Sequence, residues 1–339
     1  MVWSRINCRE VIFIRTNEIP TQATQNPTIF DSFVKAKSVF DKYDSVTCSI
    51  SGGADSDLVL DLCTKLDIDG KIKYAFFNTG LEYVATKNHL ESLESKYGVS
   101  IDRLKAVKSV PACCREYGQP FISKYVSTRI ERLQRHGFQW EDEPYEVLMS
   151  KYDNCKSALQ WWCNKNKEAA GVKISQFDIE HNVGLKEFLV ESPPPFKVSA
   201  KCCEYAKKKT AHKREMEFDL LVTGVRKGEG GLRATAYKSC YETKDNNIDQ
   251  YRPLFWYKND DKKAYEDLFG ITHSECYTRY GLRRTGCTGC PYGVKLDEEL
   301  EAARIFEPNL YKACNTVFKD SYEYTRKYRE FVKKLKSNK

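Results

Sequence analysis

Between Val46 and Leu66 the spacing of apolar residues changes period. Val46, Cys48 and Ile50 alternate with smaller or polar residues, the pattern of a buried strand. From Ala54 the spacing turns helical, so ADSDLVLDLCTKL (54–66) predicts a helix. Upstream, a helix at about 29–43 places Ile29, Phe30, Phe33, Val34, Val39 and Phe40 on one face. Downstream, KIKYAFFN (71–78) predicts a second strand, 82–97 a helix and 101–107 a third strand. FDLLVTGVR (218–226) returns to sheet. Alternating strands and helices imply an α/β fold with a doubly wound parallel sheet, whose ligands sit at the carboxyl ends of the strands. The region 111–190 breaks this rhythm: it is rich in Trp, Tyr and charge and predicts helices, a helical insertion. The division expected is an irregular segment 1–28, an α/β domain 29–255 carrying the insertion, and a C-terminal helical segment 256–339.

The junction of the first strand and its helix carries chemistry. Ser51-Gly52-Gly53-Ala54-Asp55-Ser56 lies between them. Gly52 and Gly53 let the backbone turn sharply and approach a ligand. The following helix aims free N–H groups and its positive dipole end at an anion above the loop. Ser51 and Ser56 offer hydroxyls, and Asp55 is placed to hold the Mg²⁺ of a polyphosphate. A Walker A loop is excluded, because GxxxxGK[ST] is absent.

Composition narrows the class. Hydrophobic residues make up 41% of 339 and charged residues 30%, an ordinary globular balance. No apolar run approaches the roughly 20 residues that span a bilayer. The N-terminus mixes Arg and Glu into its apolar residues, unlike a signal peptide, so a cytoplasmic protein with no membrane partner is expected. A net charge of +8 favours anionic ligands. Trp140, Trp161 and Trp162 are read as helix packing rather than as a platform for stacked bases.

Fourteen cysteines are many for a reducing compartment. Five stand at suggestive spacing: Cys202-Cys203, Cys240, and Cys287-Thr288-Gly289-Cys290. A CxxC places two thiolates on one metal or cluster edge. Zinc, an iron–sulfur cluster and a redox dithiol all suit such a set.

Taken together, SGGADS and CC…CxxC resemble the phosphoadenylylsulfate reductase family of the PP-loop ATP pyrophosphatase superfamily, over about residues 30–295. Asn78-Thr79-Gly80 resembles that family's D-T-G-like turn. Gly224-Val225-Arg226 followed by Arg233 resembles its phosphate-meeting G-x-R segment, and Arg252-Pro253-Leu254 its R-P-L segment. YGQPFISK, KCCEYAKKK, RATAYKSC and RRTGCTGCPYG resemble a bacterial and phage-borne branch. The resemblance implies an adenine nucleotide alpha-hydrolase-like fold with an iron–sulfur-binding C-terminal segment. It also implies a [4Fe–4S] cluster drawn from Cys202, Cys203, Cys240, Cys287 and Cys290. ATP or an adenylyl sulfonucleotide would lie against Ser51, Gly52, Gly53, Asp55, Ser56, Asn78, Thr79, Gly80, Gly224 and Arg226. Asp55, Arg226 and Arg233 would act in catalysis.

One departure bears on the reaction. Family reductases carry a nucleophilic cysteine in an E-C-G-x-H-like segment near the C-terminus; here the last cysteine is Cys314, in YKACNTVF. The expectation is therefore adenylylation coupled to sulfur transfer, supplied by a sulfur donor such as a cysteine desulfurase, with a nucleic-acid acceptor among the candidates. Sulfonucleotide reduction by Cys314 or an external thiol reductant is the alternative. A non-catalytic nucleotide sensor or an accessory protein of a mobile-element defence system is a third.

Overall fold

The computed structural model describes residues 19–166, 175, 177–229, 236–243 and 248–337. Six strands form one sheet: β1 (Val46–Ser49), β2 (Ile72–Asn78), β3 (Ile101–Lys105), β4 (Leu220–Thr223), β5 (Tyr241–Glu242) and β6 (Asp249–Tyr251), in the order β3-β2-β1-β4-β6-β5. β1 pairs in parallel with both β2 and β4, setting Val46 opposite Ile72 and Leu220. β4 and β6 are parallel, and β5 closes the edge antiparallel to β6. The expected doubly wound parallel sheet is present, with one antiparallel edge strand. β5 and β6 carry too few residues for their period to stand out of the sequence.

The chain forms two compact units. The first holds the described residues up to Phe77, with Val84–Leu104 and Thr210–Gly286. Helices α1 (Pro27–Phe40), α2 (Ala54–Leu66) and α3 (Val84–Tyr97) lie here, with a further helix Asn259–Phe269. Asn26 caps α1 by accepting the N–H of Thr28 and Ile29, and Pro27 stands at its first turn. Phe33, Leu58, Val59, Leu62, Leu90, Leu220 and Val222 are fully buried in one apolar core. Asp61 is buried on α2 and satisfied there: Tyr265 and Tyr97 donate hydroxyls at 2.8 and 3.0 Å, and Lys65 pairs with it.

The second unit holds Asn78–Tyr83, Lys105–Lys209 and the described residues from Cys287 onward. This grouping differs from the division expected at 255. Helix Asn259–Phe269 belongs to the α/β core through Tyr265, whereas the insertion folds with the C-terminal helices. Aromatic spacing explains the second pairing. Tyr324, Tyr328 and Phe331 recur at helical intervals on helix Lys319–Ser337, and their rings lie 4.9, 5.3 and 5.6 Å from Phe188 of the insertion. Trp161 and Trp162 are fully buried, and the Trp162 ring meets Phe138 edge-on at 5.3 Å. These two rings are packing elements, as expected, and offer no face to a base.

Trp162→Ala should therefore lower stability by about 3–5 kcal/mol, the usual cost of emptying a large core site. Trp256→Ala, at a ring 54% exposed, should cost under about 1 kcal/mol. Chemical denaturation of both variants reads this; equal small losses would contradict the packing assignment.

Candidate functional site

β1 ends at Ser49 and α2 begins at Ala54, so Ile50–Gly53 must turn between them. Gly52 takes a φ of +66°, where glycine is unstrained, and a Cβ there would lie 2.7 Å from Thr86 Cγ2. Ser56 closes the turn from inside. Its hydroxyl accepts the Gly53 N–H at 3.1 Å and donates to the Gly53 carbonyl at 2.7 Å; the Ser51 hydroxyl donates to it at 3.2 Å. Ser56 thus shapes the loop with the hydroxyl that the sequence reading assigned to a ligand. At the helix start Tyr277 accepts the Ala54 N–H at 3.1 Å. The Asp55 N–H has no acceptor among the described residues and is free for an anion.

The opposite wall comes from the end of β4. A Cβ on Gly224 would stand 3.0 Å from the Asp55 carbonyl oxygen and 3.2 Å from the Ser56 nitrogen, so any larger residue would press on the backbone of the helix start. Arg226 follows, buried, with Nε 2.9 Å from Asp55 Oδ1. Lys262 Nζ lies 2.9 Å from the same oxygen and 3.6 Å from Glu266. These walls enclose a cavity of 350 Å³, lined by loop residues 51 and 53–56, by 223–226 and 229, and by Lys262, Tyr277, Arg283, Arg284 and Thr285. Asp55 is already compensated by two cations on one oxygen. A magnesium ion on that oxygen would be repelled by both, so the carboxylate fits a positioning role for Arg226 and Lys262 better than a metal ligand.

Beneath the loop lies a buried charge chain. Asp57 is inaccessible to solvent, with His89 Nε2 3.1 Å from one carboxylate oxygen and His273 Nδ1 2.8 Å from the other. His273 Nε2 is 2.9 Å from Glu266 Oε1. Both His273 nitrogens face carboxylates, an arrangement that favours the protonated ring, in which both donate. Burial acts to lower its pKa, but the hydrogen bonds and charges of Asp57 and Glu266 outweigh it and hold the pKa above the usual 6.5. The chain runs from His273 through Glu266 and Lys262 to Asp55 at the cavity.

Ser51, Gly53, Asp55, Ser56, Gly224 and Arg226 are brought together in the first unit, with Gly52 shaping the loop. Arg233 lies outside the described residues. Asn78, Thr79 and Gly80 belong to the second unit, where Glu82 accepts the Thr79 N–H at 2.7 Å and the Gly80 N–H at 3.0 Å. Thr79 Oγ1 there stands 3.3 Å from Cys287 Sγ. Sequence reasoning missed Lys262, Tyr277, Arg283, Arg284 and Thr285. RRTG, immediately before the CxxC, was the available signal.

Four predicted thiols, Cys202, Cys203, Cys287 and Cys290, lie in the second unit. Cys240, the fifth, is half-buried and packs against the apolar core of the first unit, where its carbonyl accepts the Arg252 N–H at 2.7 Å. Cys114, unassigned from sequence, hydrogen-bonds Cys202, and this contact chiefly raises the Cys202 pKa. Cys203 is raised first by its bond to Cys202, then by burial. Burial pushes Cys290 up to about 12, with Cys287 adding to it. The Cys287 sulfur, foremost, raises the ammonium of Lys207. Gly289, at φ +60°, turns the CxxC where a Cβ would strike the Tyr322 hydroxyl at 2.5 Å. Among the described residues no three His, Cys, Asp or Glu side chains are gathered to hold a single metal ion. The donor set itself, four thiols with Lys207 interacting with Cys203, Cys287 and Cys290, suits a thiolate-held cluster. Cys314 is fully buried and raised to about 12 by burial, and its S–H donates to the Thr288 carbonyl at 3.3 Å. That thiol props the CxxC loop and is no exposed nucleophile.

No protein-family model matches the sequence, and no curated protein does. Among the solved structures similar to this chain in fold are the following three. Phosphoadenylyl-sulfate (PAPS) reductase from Candida auris, as its phosphate complex, is 13% identical with a TM-score of 0.42, covering 76% of this chain and 87% of that one. A tRNA thiolase from Methanococcus maripaludis with its [4Fe–4S] cluster is 12% identical, TM-score 0.36, covering 90% and 80%. An NH3-dependent NAD synthetase from Campylobacter jejuni is 12% identical, TM-score 0.32, covering 87% and 93%. At these values any functional reading rests on this chain's own residues. No helix among the described residues is long and apolar enough to cross a membrane.

The half-buried His273 sets a pH dependence. Because the folded-state pKa of His273 exceeds 6.5, its contribution to stability is full below that value and is lost as pH rises through the raised folded-state pKa. Urea unfolding across this range should show stability falling with pH in the wild type and a flatter profile in His273→Gln. Parallel profiles would show that His273 is not the charged group.

Proposed function

We propose that the chain is a PP-loop enzyme that activates its substrate by adenylylation and handles sulfur. The observation that carries this reading is the loop Ser51–Ser56 facing Gly224–Arg226 across a cation-lined cavity at the point where the strand order reverses. MgATP is the nucleotide substrate, its magnesium arriving with the phosphates. An acceptor oxygen attacks the α-phosphorus, the bond to the bridging oxygen breaks, and pyrophosphate departs with that electron pair. The free Asp55 N–H donates to the phosphates. Arg226, aligned by Asp55, supplies positive charge where the transition state becomes more anionic. Lys262 shares Asp55 and keeps that carboxylate turned from the ligand. Arg233 keeps the role of a second phosphate cation.

In the second unit, Cys202, Cys203, Cys287 and Cys290 are the residues that would hold a [4Fe–4S] cluster, which when bound supplies a site for carrying sulfide. Thr79 at Cys287 and Lys207 beside it would donate to the sulfurs. A sulfur donor such as a cysteine desulfurase and a nucleic-acid or small-molecule acceptor are the partners this reading requires. Reduction through Cys314 is disfavoured by its burial and its bond to Thr288. A reductase would need an external thiol.

Anaerobically purified protein, given ATP and its acceptor, should form AMP and pyrophosphate. Fast thiol-dependent sulfite release from phosphoadenylylsulfate would make it a reductase, and tight ATP binding without turnover a sensor. Gly53→Val should cut nucleotide affinity by about tenfold or more, because its Cβ would already lie 3.1 Å from Ser51 Oγ and Thr285 Oγ1. Calorimetric titration giving wild-type affinity would place the ligand elsewhere.

Iron analysis separates the cysteines. Wild type and Cys240→Ser should carry about four iron per chain, as one cubane cluster requires, and Cys290→Ser should lose them. Loss of iron in Cys240→Ser would restore that residue to the ligand set.

A further inference from the structure

Among the described residues four cations line the loop cavity, and they differ in what they face. Arg226 and Lys262 both stand 2.9 Å from Asp55 Oδ1, so protein carboxylate already offsets them. Arg283 and Arg284 have no ion pair or hydrogen bond among the described residues, and both are exposed along the cavity wall. Their segment is nonetheless anchored. Leu282 is buried and its N–H donates to the Cys276 carbonyl at 2.9 Å. Thr285, on the other side, lies 3.5 Å from the Tyr277 hydroxyl that receives the Ala54 N–H. The two guanidinium groups therefore stand beside the helix start with their charge uncompensated.

We infer that Arg283 and Arg284 bind the terminal diphosphate of a nucleoside triphosphate and receive it as the leaving group. This rests on the nucleotide reading of the loop and extends it to the substrate class. Two adjacent planar forks match the oxygens of two linked phosphates, which a single sulfate would leave half used. When the bond between the α-phosphorus and the bridging oxygen breaks, that oxygen keeps the electron pair and the diphosphate gains charge. Uncompensated guanidinium groups stabilise that charge more than the ground state, while Arg226, already paired, serves the phosphorus under attack.

The test is calorimetric binding of ATP, AMP and inorganic pyrophosphate to wild type, Arg283→Ala/Arg284→Ala and Arg283→Lys/Arg284→Lys. The double alanine variant should lose about tenfold or more in ATP and pyrophosphate affinity and keep AMP affinity within about twofold of wild type. The double lysine variant should fall between, keeping charge but losing the fork geometry. Retained AMP binding also shows that the variant is folded. Unchanged ATP affinity, or equal loss of AMP and ATP, would overturn the assignment. So would a variant that loses phosphoadenylylsulfate but keeps ATP, since the arginines would then serve a sulfonucleotide. Wild-type protein that binds no nucleotide would instead sink the loop reading itself.

Discussion

The parallel pairing of β1 with β4 is the constraint on which the site depends. β1 runs to β2 and β3 on one side, and the chain returns through β4 on the other. Matching Val46 with Leu220 and Ser49 with Thr223 ends both strands at one level. Their following segments, 50–53 and 224–226, must then share the space above. Gly224 makes that sharing feasible, because any Cβ would press on the Asp55 carbonyl at 3.0 Å. Arg226 lies two residues beyond this close approach, with its Nε 2.9 Å from Asp55 Oδ1. A side chain at 224 would disturb loop, helix start and ion pair together, although it touches no ligand.

Electrostatics reinforces this geometry. α2 carries Asp55, Asp57 and Asp61 on its first two turns, which suits the positive end of the helix dipole. Burial would make such charges costly unless each is answered. Asp61 is answered by two tyrosines and Lys65, Asp57 by two histidines, and Asp55 by Arg226 and Lys262. Helix Asn259–Phe269 supplies partners to all three sites: Tyr265 directly, Lys262 directly, and Glu266 through His273. Its packing on the α/β core is therefore as much a matter of charge as of apolar area.

Local features of this molecule could be read from the sequence, and long-range ones could not. SGGADS announces itself because turn, helix start and strand are contiguous, and the bounds 54–66 of α2 agree with its apolar period. Lys262 looks like any lysine on an amphipathic helix; only the fold brings it to Asp55, some two hundred residues away. Cys240 shows the converse: spacing makes it one of five alike, and only the fold shows that its surroundings in the first unit are apolar. Asn78-Thr79-Gly80 follows a strand end as a ligand turn would, but Glu82 collects its amides. The aromatic residues of the insertion needed their partners on the C-terminal helix before a separate domain could be ruled out.

Cys314 bears most directly on the chemistry. A thiol acts as nucleophile through its thiolate, and a thiolate needs positive charge and access. Cys314 has neither: it is fully buried, neighbouring sulfurs add to the effect of burial, and its proton is engaged by Thr288. Removing that proton would leave a buried charge against a carbonyl oxygen, which is unfavourable twice over. On the proposed reading, the nucleophile is then a group other than Cys314. An oxygen of the acceptor satisfies this without any oxidant or reductant, because adenylylation exchanges one phosphorus–oxygen bond for another. Reduction would demand an outside thiol and a path to a sulfonucleotide. The burial of this thiol is thus what the proposed activation reading draws from the second unit.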